Sequence, residues 1–454
     1  MPVEVFPYQQ EAALFLAPRQ RSGLFDAMGI GKTATEIRTQ DIRQERKGGG
    51  KEGVVICPAA LRENWRNEFL KFQQYPRKIL KIDDVYDLNA WFKGHYHVAL
   101  LSFERAASFA DLFFKEAKTF DFCVIDEGHY LKNPKASRSP KILGEGFDGI
   151  GGIPQWAAHA EWVTGTPAAN DPADIWTWLK FLKNAMPLDL LGFKRRYFSC
   201  RQTTFGSKST LRDGPLADEL RAIIQQNSIA RSLEDVGIQL PPVFLTTRVI
   251  EADTKALSEF LQSFPGADEK LLAHLREGGD LSDIEDEFQA TLRRLIGEAK
   301  AIPYAKMLAE EFNSGLDKVV IFGHHRASLQ QIGAYLESKG FKGVAVQGGT
   351  SDDIRADAVQ AFNKNPEIRF FLGNHRAAGV GLNLQESCCN IDLFESDWTP
   401  TANAQSIKRV ERYGQTRSMR ARFISANHAF EFALQEINRE KTERILSLGL
   451  PPLL

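Results

Sequence analysis

Two short motifs carry the residue types that phosphate chemistry needs. The first, residues 26–33, reads Asp-Ala-Met-Gly-Ile-Gly-Lys-Thr, and the second, residues 126–129, reads Asp-Glu-Gly-His. Glycines let the N–H groups of such a loop close around phosphate oxygens, and the N-terminus of a following helix favours negative charge. A lysine adds a point charge. The first motif therefore predicts a triphosphate site formed by Gly29, Ile30, Gly31, Lys32 and Thr33.

The acid pair follows the apolar run Phe122–Ile125, which predicts a buried strand. A strand that ends there delivers Asp126 to a magnesium ion and Glu127 to an attacking water. Each motif alone is compatible with an ordinary turn between a strand and a helix. Two unrelated turns would not explain why both motifs show the same order of apolar strand, polar motif and helix-compatible sequence. The pair predicts a site that binds and hydrolyses a nucleoside triphosphate.

The composition is that of an ordinary globular protein. Of 454 residues, 43% are hydrophobic and 25% are charged, and the formal net charge is −1. A chain of this length can form two or three cores. Because there is no overall basic field, a nucleic-acid partner has to be bound by a local stripe of Lys and Arg. The five cysteines have neither zinc-site nor disulfide spacing.

Nothing in the sequence indicates a membrane or secretory segment. No stretch approaches the roughly 18 uninterrupted apolar residues of a membrane span, and the N-terminus lacks a basic segment followed by an apolar core. We therefore expect no membrane partner. The expected location is the cytoplasm of a prokaryotic or phage-infected cell, or the nucleus if the source is a eukaryote.

Apolar runs alternate with helical patterns in both halves of the chain, which predicts parallel sheets with crossover helices. The runs are 53–57, 97–101, 122–125 and 161–163, then 318–322, 343–346, 369–372 and 390–394. Leu240-Pro241-Pro242 is the predicted junction, since paired prolines resist both helix and central strand. We predict lobe 1 over residues 1–240, with a helical insertion from about 184. Lobe 2 covers 241–454, with a helical insertion at about 252–300 and a C-terminal helix.

Further motifs occur in a fixed order, and together they resemble the Swi/Snf-type ATPases of helicase superfamily two. The resemblance extends from about Phe6 to Ile424. Its most diagnostic stretch is 126–133, where Leu-Lys-Asn extends the acid-pair motif. The other matching segments are 7–9, 58–68, 164–167, 321–326, 376–384, 397–400 and 405–415. The last has the family's Gln-x-x-x-Arg-x-x-Arg-x-Gly-Gln spacing.

At subfamily level, Ala299-Lys300-Ala301 and His324-His325 resemble the annealing-helicase branch. Three departures stand out. Ala27 replaces the acidic residue usual before the phosphate loop, Phe6 replaces a usual arginine, and Asn374-His375 replace a usual Ser-Thr pair. None of these departures removes a catalytic group.

The resemblance implies an α/β fold with two RecA-like lobes, parallel sheets and helical insertions between and within them. It implies ATP and Mg2+ as cofactors, with Gln9 on the adenine, Lys32 on the β- and γ-phosphates, and Thr33 with Asp126 on the metal. Glu127 would orient or deprotonate water, as phosphoryl transfer requires. We expect Thr164, Gly165 and Thr166 to couple the bound nucleotide to the nucleic acid along which the protein would move, called the track below.

Arg409 and Arg412 are three residues apart on a predicted helix, so we expect them to share one face and to reach the γ-phosphate across the cleft between the lobes. Gln405, one turn earlier, would help to position the γ-phosphate or the water. A solvated helix face is the alternative for an isolated Arg-x-x-Arg pair.

The implied track is double-stranded or branched DNA, gripped through its backbone without sequence preference. The predicted contacts are Arg62, Asn64, Ser102, His324, His325, Asn374 and His375. A metal site at the histidine pair is disfavoured, because adjacent residues at a strand end point in opposite directions. We expect a translocase that remodels DNA structures or protein–DNA complexes, with fork regression or strand annealing as its specific use. A strand-separating DNA or RNA helicase and an ATP-gated recruitment module for a nuclease or replication complex are the alternatives, and protein partners are unknown.

Overall fold

The computed structural model describes residues 2–452, apart from 47, 135, 184, 204–205, 254, 264–265, 267–285 and 376–381. The chain forms two compact units. Unit 1 comprises Met1–Ser199, Ser209–Ile238 and Arg444–Leu453, and unit 2 comprises Cys200–Lys208, Gln239–Glu443 and Leu454. Within the described parts, no helix is both long and apolar enough to cross a membrane.

Each unit contains a sheet flanked by helices. The strands are β1 (Arg21–Leu24), β2 (Gly53–Cys57), β3 (Ile79–Lys81), β4 (Val98–Ser102), β5 (Phe120–Asp126), β6 (Ala157–Val163), β7 (Phe198–Thr203), β8 (Gly206–Leu211), β9 (Ser228–Ile229), β10 (Val243–Ile250), β11 (Val319–Gly323), β12 (Lys342–Val346), β13 (Ile368–Asn374), β14 (Asn390–Leu393) and β15 (Met419–Ala426).

The helices connect these strands. They are α1 (Pro7–Leu16), α2 (Lys32–Glu45), α3 (Arg62–Phe72), α4 (Val85–Phe92), α5 (Phe103–Glu116), α6 (Arg138–Leu143), α7 (Trp176–Phe181), α8 (Leu190–Tyr197), α9 (Pro215–Asn227), α10 (Lys255–Gln262), α11 (Asp286–Asn313), α12 (Arg326–Ser338), α13 (Asp352–Lys364), α14 (Pro400–Ile407) and α15 (Ala429–Leu446).

The sheet of unit 1 has the strand order β3-β4-β2-β5-β6-β1-β9, and all its neighbouring pairs are parallel. Its central strands are buried along their whole length because helices cover both faces. Strands β1, β5 and β6 end in register, with Leu24 and Asp126 both paired to Val163. The chain segments that follow these three strands therefore start at one edge.

The sheet of unit 2 has the order β10-β15-β14-β11-β13-β12 and is also parallel throughout. The predicted α/β fold with two parallel sheets is confirmed. All eight apolar runs named from the sequence fall on strands, with ends shifted by a few residues at most.

The segments predicted as insertions contain more than helices. After residue 184 the chain forms α8, the two-stranded sheet of β7 and β8, and α9. Helix α10 and the first half of α11 lie in the predicted insertion at about 252–300, of which residues 254, 264–265 and 267–285 are outside the described residues. Helix α15 is the predicted C-terminal helix, but the residues from Arg444 onward belong to unit 1. They do so because Ile445, Leu448 and Leu450 pack into its hydrophobic core.

A buried ionic network ties the central strands of unit 2 to α11. Arg422 on β15 pairs with both carboxylate oxygens of Asp392 on β14, at 2.8 and 2.6 Å. It also pairs with Glu311 at 2.6 and 3.0 Å. The Tyr304 hydroxyl donates to Asp392 Oδ2 at 2.7 Å. Removal of the cation alone leaves the fully buried Asp392 carboxylate without its charge partner, whereas Glu311 keeps Arg420 at 3.6 Å.

We therefore predict that Arg422→Met destabilises unit 2 by about 3–5 kcal/mol, the usual cost of leaving a buried charge without its partner. Hydrogen exchange of the strands of unit 2 measures this without assuming that the whole chain unfolds in one step. Arg439→Met is the matched control, because Arg439 is paired only on the exposed surface of α15. Equal exchange rates in the two variants would contradict the prediction.

A candidate nucleotide site at the carboxyl edge of the first sheet

The phosphate-loop motif forms the turn between β1 and α2. Gly29 and Gly31 have φ of 93° and 90°, in the left-handed region that glycine tolerates best. Gly31 is the N-cap residue of α2, so Lys32 and Thr33 begin the helix. A Cβ atom at Gly31 would lie 2.4 Å from Gln9 Nε2. Both the backbone angle and the packing therefore require glycine there.

Lys32 lies against the main chain of its own loop. Its Nζ donates to the carbonyl oxygens of Asp26 at 2.9 Å and Ala27 at 3.3 Å. A Cβ atom added to Gly165 would lie 3.2 Å from the same nitrogen. The predicted coupling segment after β6 is thus a direct neighbour of the lysine ammonium group.

Asp126 ends β5 as a buried carboxylate. Its Oδ2 accepts from Trp65 Nε1 at 2.8 Å, and its Oδ1 accepts from the N–H of Glu127 at 3.0 Å. Burial and then the Glu127 charge raise the pKa of Asp126 to about 7, although Trp65 and Lys32 act in the opposite direction. A cation at this carboxylate would favour its charged form, as a metal ligand requires.

Glu127 adopts a backbone conformation that is unusual for a residue with a side chain. Its φ and ψ are 53° and 46°, in the left-handed region. Its Oε2 lies 3.2 Å from His129 Nδ1 and 3.4 Å from Thr164 Oγ1. Non-glycine residues in this region cost about 1–3 kcal/mol and are frequent at active sites. The turn aims the carboxylate at the segment that follows β6.

The coupling residues form one hydrogen-bonded cluster with this acid. Thr164 Oγ1 lies 3.0 Å from His129 Nδ1 and accepts from the N–H of Thr166 at 3.0 Å. Thr166 Oγ1 lies 3.4 Å from the same histidine nitrogen. Movement of the segment after β6 would therefore reach Glu127 through Thr164 and His129.

Gln9 joins α1 to the phosphate loop. Its Nε2 donates to the carbonyls of Ile30 at 3.0 Å and Gly31 at 3.3 Å, and its Oε1 accepts from the N–H of Phe6 at 2.9 Å. The side chain is buried. The structure thus places the residue predicted to contact adenine at the back of the predicted phosphate site.

The remaining predicted residues of unit 1 lie at the same sheet edge. Arg62 donates to the Ile82 carbonyl at 3.0 Å and pairs with Asp83 at 2.7 Å. Ser102 caps α5, where its hydroxyl accepts from the N–H of Arg105. Asn64 is exposed on α3. Of these three side chains, Asn64 alone is exposed.

In unit 2, the predicted histidines gather around two acids at the carboxyl edge of the second sheet. Glu395 Oε2 accepts from the N–H groups of His324 at 2.7 Å and His325 at 2.9 Å. Its Oε1 lies 2.6 Å from His325 Nδ1, and His324 Nε2 lies 3.4 Å from Asp397 Oδ2. Burial alone would raise the pKa of Glu395, but its bonds with His325 lower it. The two histidines predicted to contact DNA therefore each have a carboxylate beside them, Asp397 at His324 and Glu395 at His325.

His375 and Asn374 are held within the same cluster. His375 is buried, with Nδ1 2.8 Å from Ser406 Oγ and Nε2 2.7 Å from the Glu395 carbonyl. Burial lowers the pKa of His375. Asn374 donates to the His324 carbonyl at 2.5 Å. In this conformation both ring nitrogens of His375 are bonded to protein.

The predicted helix at the two arginines ends earlier than expected. Gln405 lies in α14, which ends at Ile407, so the expectation that Arg409 and Arg412 share a helix face is wrong. The N–H of Arg409 donates to the Ser406 carbonyl at 3.1 Å, three residues back rather than the four of an α-helix, and the Arg409 carbonyl accepts from the N–H of Leu384 at 3.1 Å. Arg412 donates to the Leu382 carbonyl at 3.2 Å and to Asn383 Oδ1 at 2.5 Å. Both arginines thus lie in turns beside the segment that begins at Leu382.

The sequence analysis missed three residues that shape the site of unit 1. Trp65 bonds to Asp126, His129 lies between Glu127 and Thr164, and Arg231 pairs with Asp26. Trp65 and His129 fall within segments that matched the family, but the motifs do not indicate which side chains they contact. Arg231 lies outside every motif, and nothing in its local sequence indicates its partner.

Comparisons with known proteins agree with this architecture. Residues 8–268 match the SNF2-related domain, and residues 304–414 match the helicase conserved C-terminal domain. A SWI/SNF-related matrix-associated actin-dependent regulator of chromatin subfamily A-like protein 1 from Drosophila melanogaster is 24% identical over 98% of this chain and 56% of its own length. The DNA annealing helicase and endonuclease ZRANB3 from Bos taurus is 26% identical over 93% of this chain and 38% of its own length.

A Sulfolobus solfataricus SWI2/SNF2 ATPase core in complex with dsDNA aligns with a TM-score of 0.45 and 19% identity, covering 99% of this chain and 97% of that one. The chain spans only about half the length, or less, of the two curated relatives named above. The SNF2-related match alone covers more than half of the 454 residues. The resemblance inferred from the ordered motifs is thereby confirmed, and the chain belongs to the SNF2-related family of helicase-like ATPases.

Proposed function

We propose that this chain is an ATP-dependent translocase on double-stranded DNA that remodels DNA structures or protein–DNA complexes. One observation carries the proposal. Three parallel strands end in register and bring Lys32, Asp126, Glu127 and Thr164 to one edge of unit 1. The name of one relative, a DNA annealing helicase, supports DNA as the track and strand annealing as the use. Fork regression is the other use that we propose.

The proposed nucleotide is ATP, bound with its phosphates over the N-terminus of α2. The N–H groups from Gly29 to Thr33 and the positive end of the helix dipole would bind the phosphate oxygens. Lys32 would exchange its carbonyl partners for the β- and γ-phosphates. Gln9 would contact the adenine through an amide that now bonds to the loop.

The residues present also fit a magnesium ion. The Asp126 carboxylate and the Thr33 hydroxyl offer oxygen ligands, which Mg2+ prefers together with phosphate oxygens and water. Burial of Asp126 beside Glu127 leaves negative charge that a cation would compensate. When bound, the ion supplies charge neutralisation for the phosphate groups.

Hydrolysis then needs a positioned water and a proton acceptor. The water oxygen bonds to the γ-phosphorus as the bond from that phosphorus to the bridging oxygen of ADP breaks. Glu127 accepts the proton of the water. His129 and Thr164 fix the direction of its carboxylate, as the short distances to Oε2 indicate. We propose that Arg409 and Arg412 of unit 2 add positive charge at the γ-phosphate when the units close, which makes turnover depend on the track.

We predict that Glu127→Gln retains ATP binding but slows hydrolysis by about 10²–10⁴, the usual contribution of a positioned acid–base group. Lys32→Ala should lose both binding and turnover, because it removes the cation that pairs with the phosphates. Equilibrium binding of a fluorescent ATP analogue and steady-state turnover separate the two effects. Equal loss of nucleotide affinity in both variants would contradict the role assigned to Glu127.

Arg412→Ala should leave ATP binding nearly intact while removing the stimulation of turnover by duplex DNA, since its charge acts in the closed transition state. Arg409→Ala should behave in the same way. Arg294→Ala serves as control, because Arg294 pairs with Glu298 on an exposed face of α11. Full stimulation in both test variants would show that these arginines only hold the turns of unit 2.

The proposed track is tested by two assays run side by side on the wild-type chain. We expect ATP-dependent displacement of a triplex strand from blunt duplex DNA, without unwinding of a forked duplex. Affinity for DNA should fall steeply with salt and depend little on sequence. Efficient unwinding, or stimulation by RNA alone, would select a strand-separating helicase. Turnover that is indifferent to every nucleic acid would select an ATP-gated recruitment module.

A further inference from the structure

Asp26, in the loop before α2, is fully buried and takes part in a network that the proposed chemistry does not use. Its Oδ1 accepts from Nε of Arg231 at 3.0 Å and from the N–H of Arg231 at 3.1 Å. Its Oδ2 accepts from Nη2 of Arg231 at 2.6 Å. Paired N–H···O bonds of this kind fix both the distance and the orientation of the two side chains.

The main chain continues the same contact. The N–H of Ala27 donates to the carbonyl of Arg231 at 2.8 Å, and the N–H of Phe25 donates to the carbonyl of Ile229 at 2.6 Å. Strand β9 pairs with β1 immediately before this point. The first residues of the phosphate loop are therefore aligned along the segment that ends in Arg231.

Arg231 also reaches the helix that carries Gln9. Its Nη1 donates to the Tyr8 carbonyl at 2.9 Å, and its guanidinium carbon lies 5.8 Å from the centre of the Tyr8 ring. The Tyr8 hydroxyl in turn donates to the Ile30 carbonyl at 3.1 Å. One arginine thus contacts the start of the loop directly and the end of the loop through Tyr8.

The carbonyl of Asp26 completes the connection, because it accepts from Lys32 Nζ at 2.9 Å. The side chain of Asp26 is bonded to Arg231 while its main chain holds the lysine. Shortly after Arg231, at Ile238, the chain leaves unit 1. The turn between them is closed by bonds between Ser232 and Asp235.

We infer that Arg231 is a positioning residue for the phosphate loop. Through Asp26 it sets the carbonyls that orient Lys32, and it fastens the loop to the segment that leads into unit 2. A shift of that segment would act first on Asp26 and Ala27 at the start of the loop, and through them on the residues from Gly29 to Thr33 that would bind phosphate. This role deepens the proposed function. The effect expected on KM for ATP rests on that function, whereas the effect expected on hydrogen exchange of the loop does not.

The test compares Arg231→Gln with Arg77→Gln in the full chain. Arg77 forms a buried pair with Asp41 at 2.8 Å, also in unit 1, but at the far end of α2. Both variants should lower the melting temperature. Arg231→Gln should in addition raise KM for ATP by about 10- to 100-fold, the usual effect of removing a residue that orients a ligand-binding group, whereas Arg77→Gln should leave KM within about twofold of wild type.

Two further sets of variants and one hydrogen-exchange measurement test the role of Arg231 independently. Arg231→Lys should give an intermediate KM, because an ammonium group retains the charge but not the paired bonds. Asp26→Asn should match Arg231→Gln, and the double variant should be little worse than either, as expected for two residues of one contact. Without nucleotide, the amides of Phe25 and Ala27 should exchange hydrogen faster in Arg231→Gln than in Arg77→Gln.

The outcomes separate the two proposals. A wild-type chain that does not hydrolyse ATP would overturn the proposed function, while the exchange rates would still decide the role of Arg231. Unchanged exchange at Phe25 and Ala27, additive effects of the two substitutions, or a KM shift no larger than that of Arg77→Gln would each overturn the inference.

Discussion

The contact between the Lys32 ammonium group and the carbonyls of Asp26 and Ala27 is the interaction on which the candidate site depends. It forms within a loop that turns through left-handed angles at Gly29 and Gly31, which glycine tolerates best. The carbonyls are satisfied by side chains behind the loop. Lys32 and the backbone N–H groups at the start of α2 are the groups that would bind phosphate here.

The sequence predicts most of the framework of this site because the relevant signals are local. Buried parallel strands appear as apolar runs, and parallel strands place their carboxyl ends at one edge, so Lys32, Asp126 and Thr164 could be grouped without coordinates. Contacts between distant segments are different. The pairing of Arg231 with Asp26 joins residues with no sequence signature in common, and the turns at Arg409 and Arg412 are bonded to the segment 382–384. Both depend on tertiary contacts that periodicity does not record.

The acid pair shows how the fold sustains a locally unfavourable arrangement. Asp126 is buried and Glu127 has a left-handed backbone, so each disfavours folding when considered alone. Both are fixed by their neighbours: Trp65 bonds to Asp126, and a Cβ atom at Gly128 would lie 2.3 Å from the Trp162 indole nitrogen. The turn can therefore neither relax nor accept a larger residue. Such strain persists where a nearby cation or substrate phosphate would benefit from the fixed carboxylates.

The histidine cluster of unit 2 constrains how this chain could grip a nucleic-acid backbone. His324 and His325 lie beside Asp397 and Glu395, and both ring nitrogens of His375 are bonded to protein. A phosphate that approaches these histidines therefore meets two carboxylates as well. The two carboxylates oppose the approach of the phosphate through like-charge repulsion. Arginines and lysines away from this cluster would then supply more of the electrostatic part of DNA affinity, because a cation without an adjacent carboxylate attracts the phosphates more strongly.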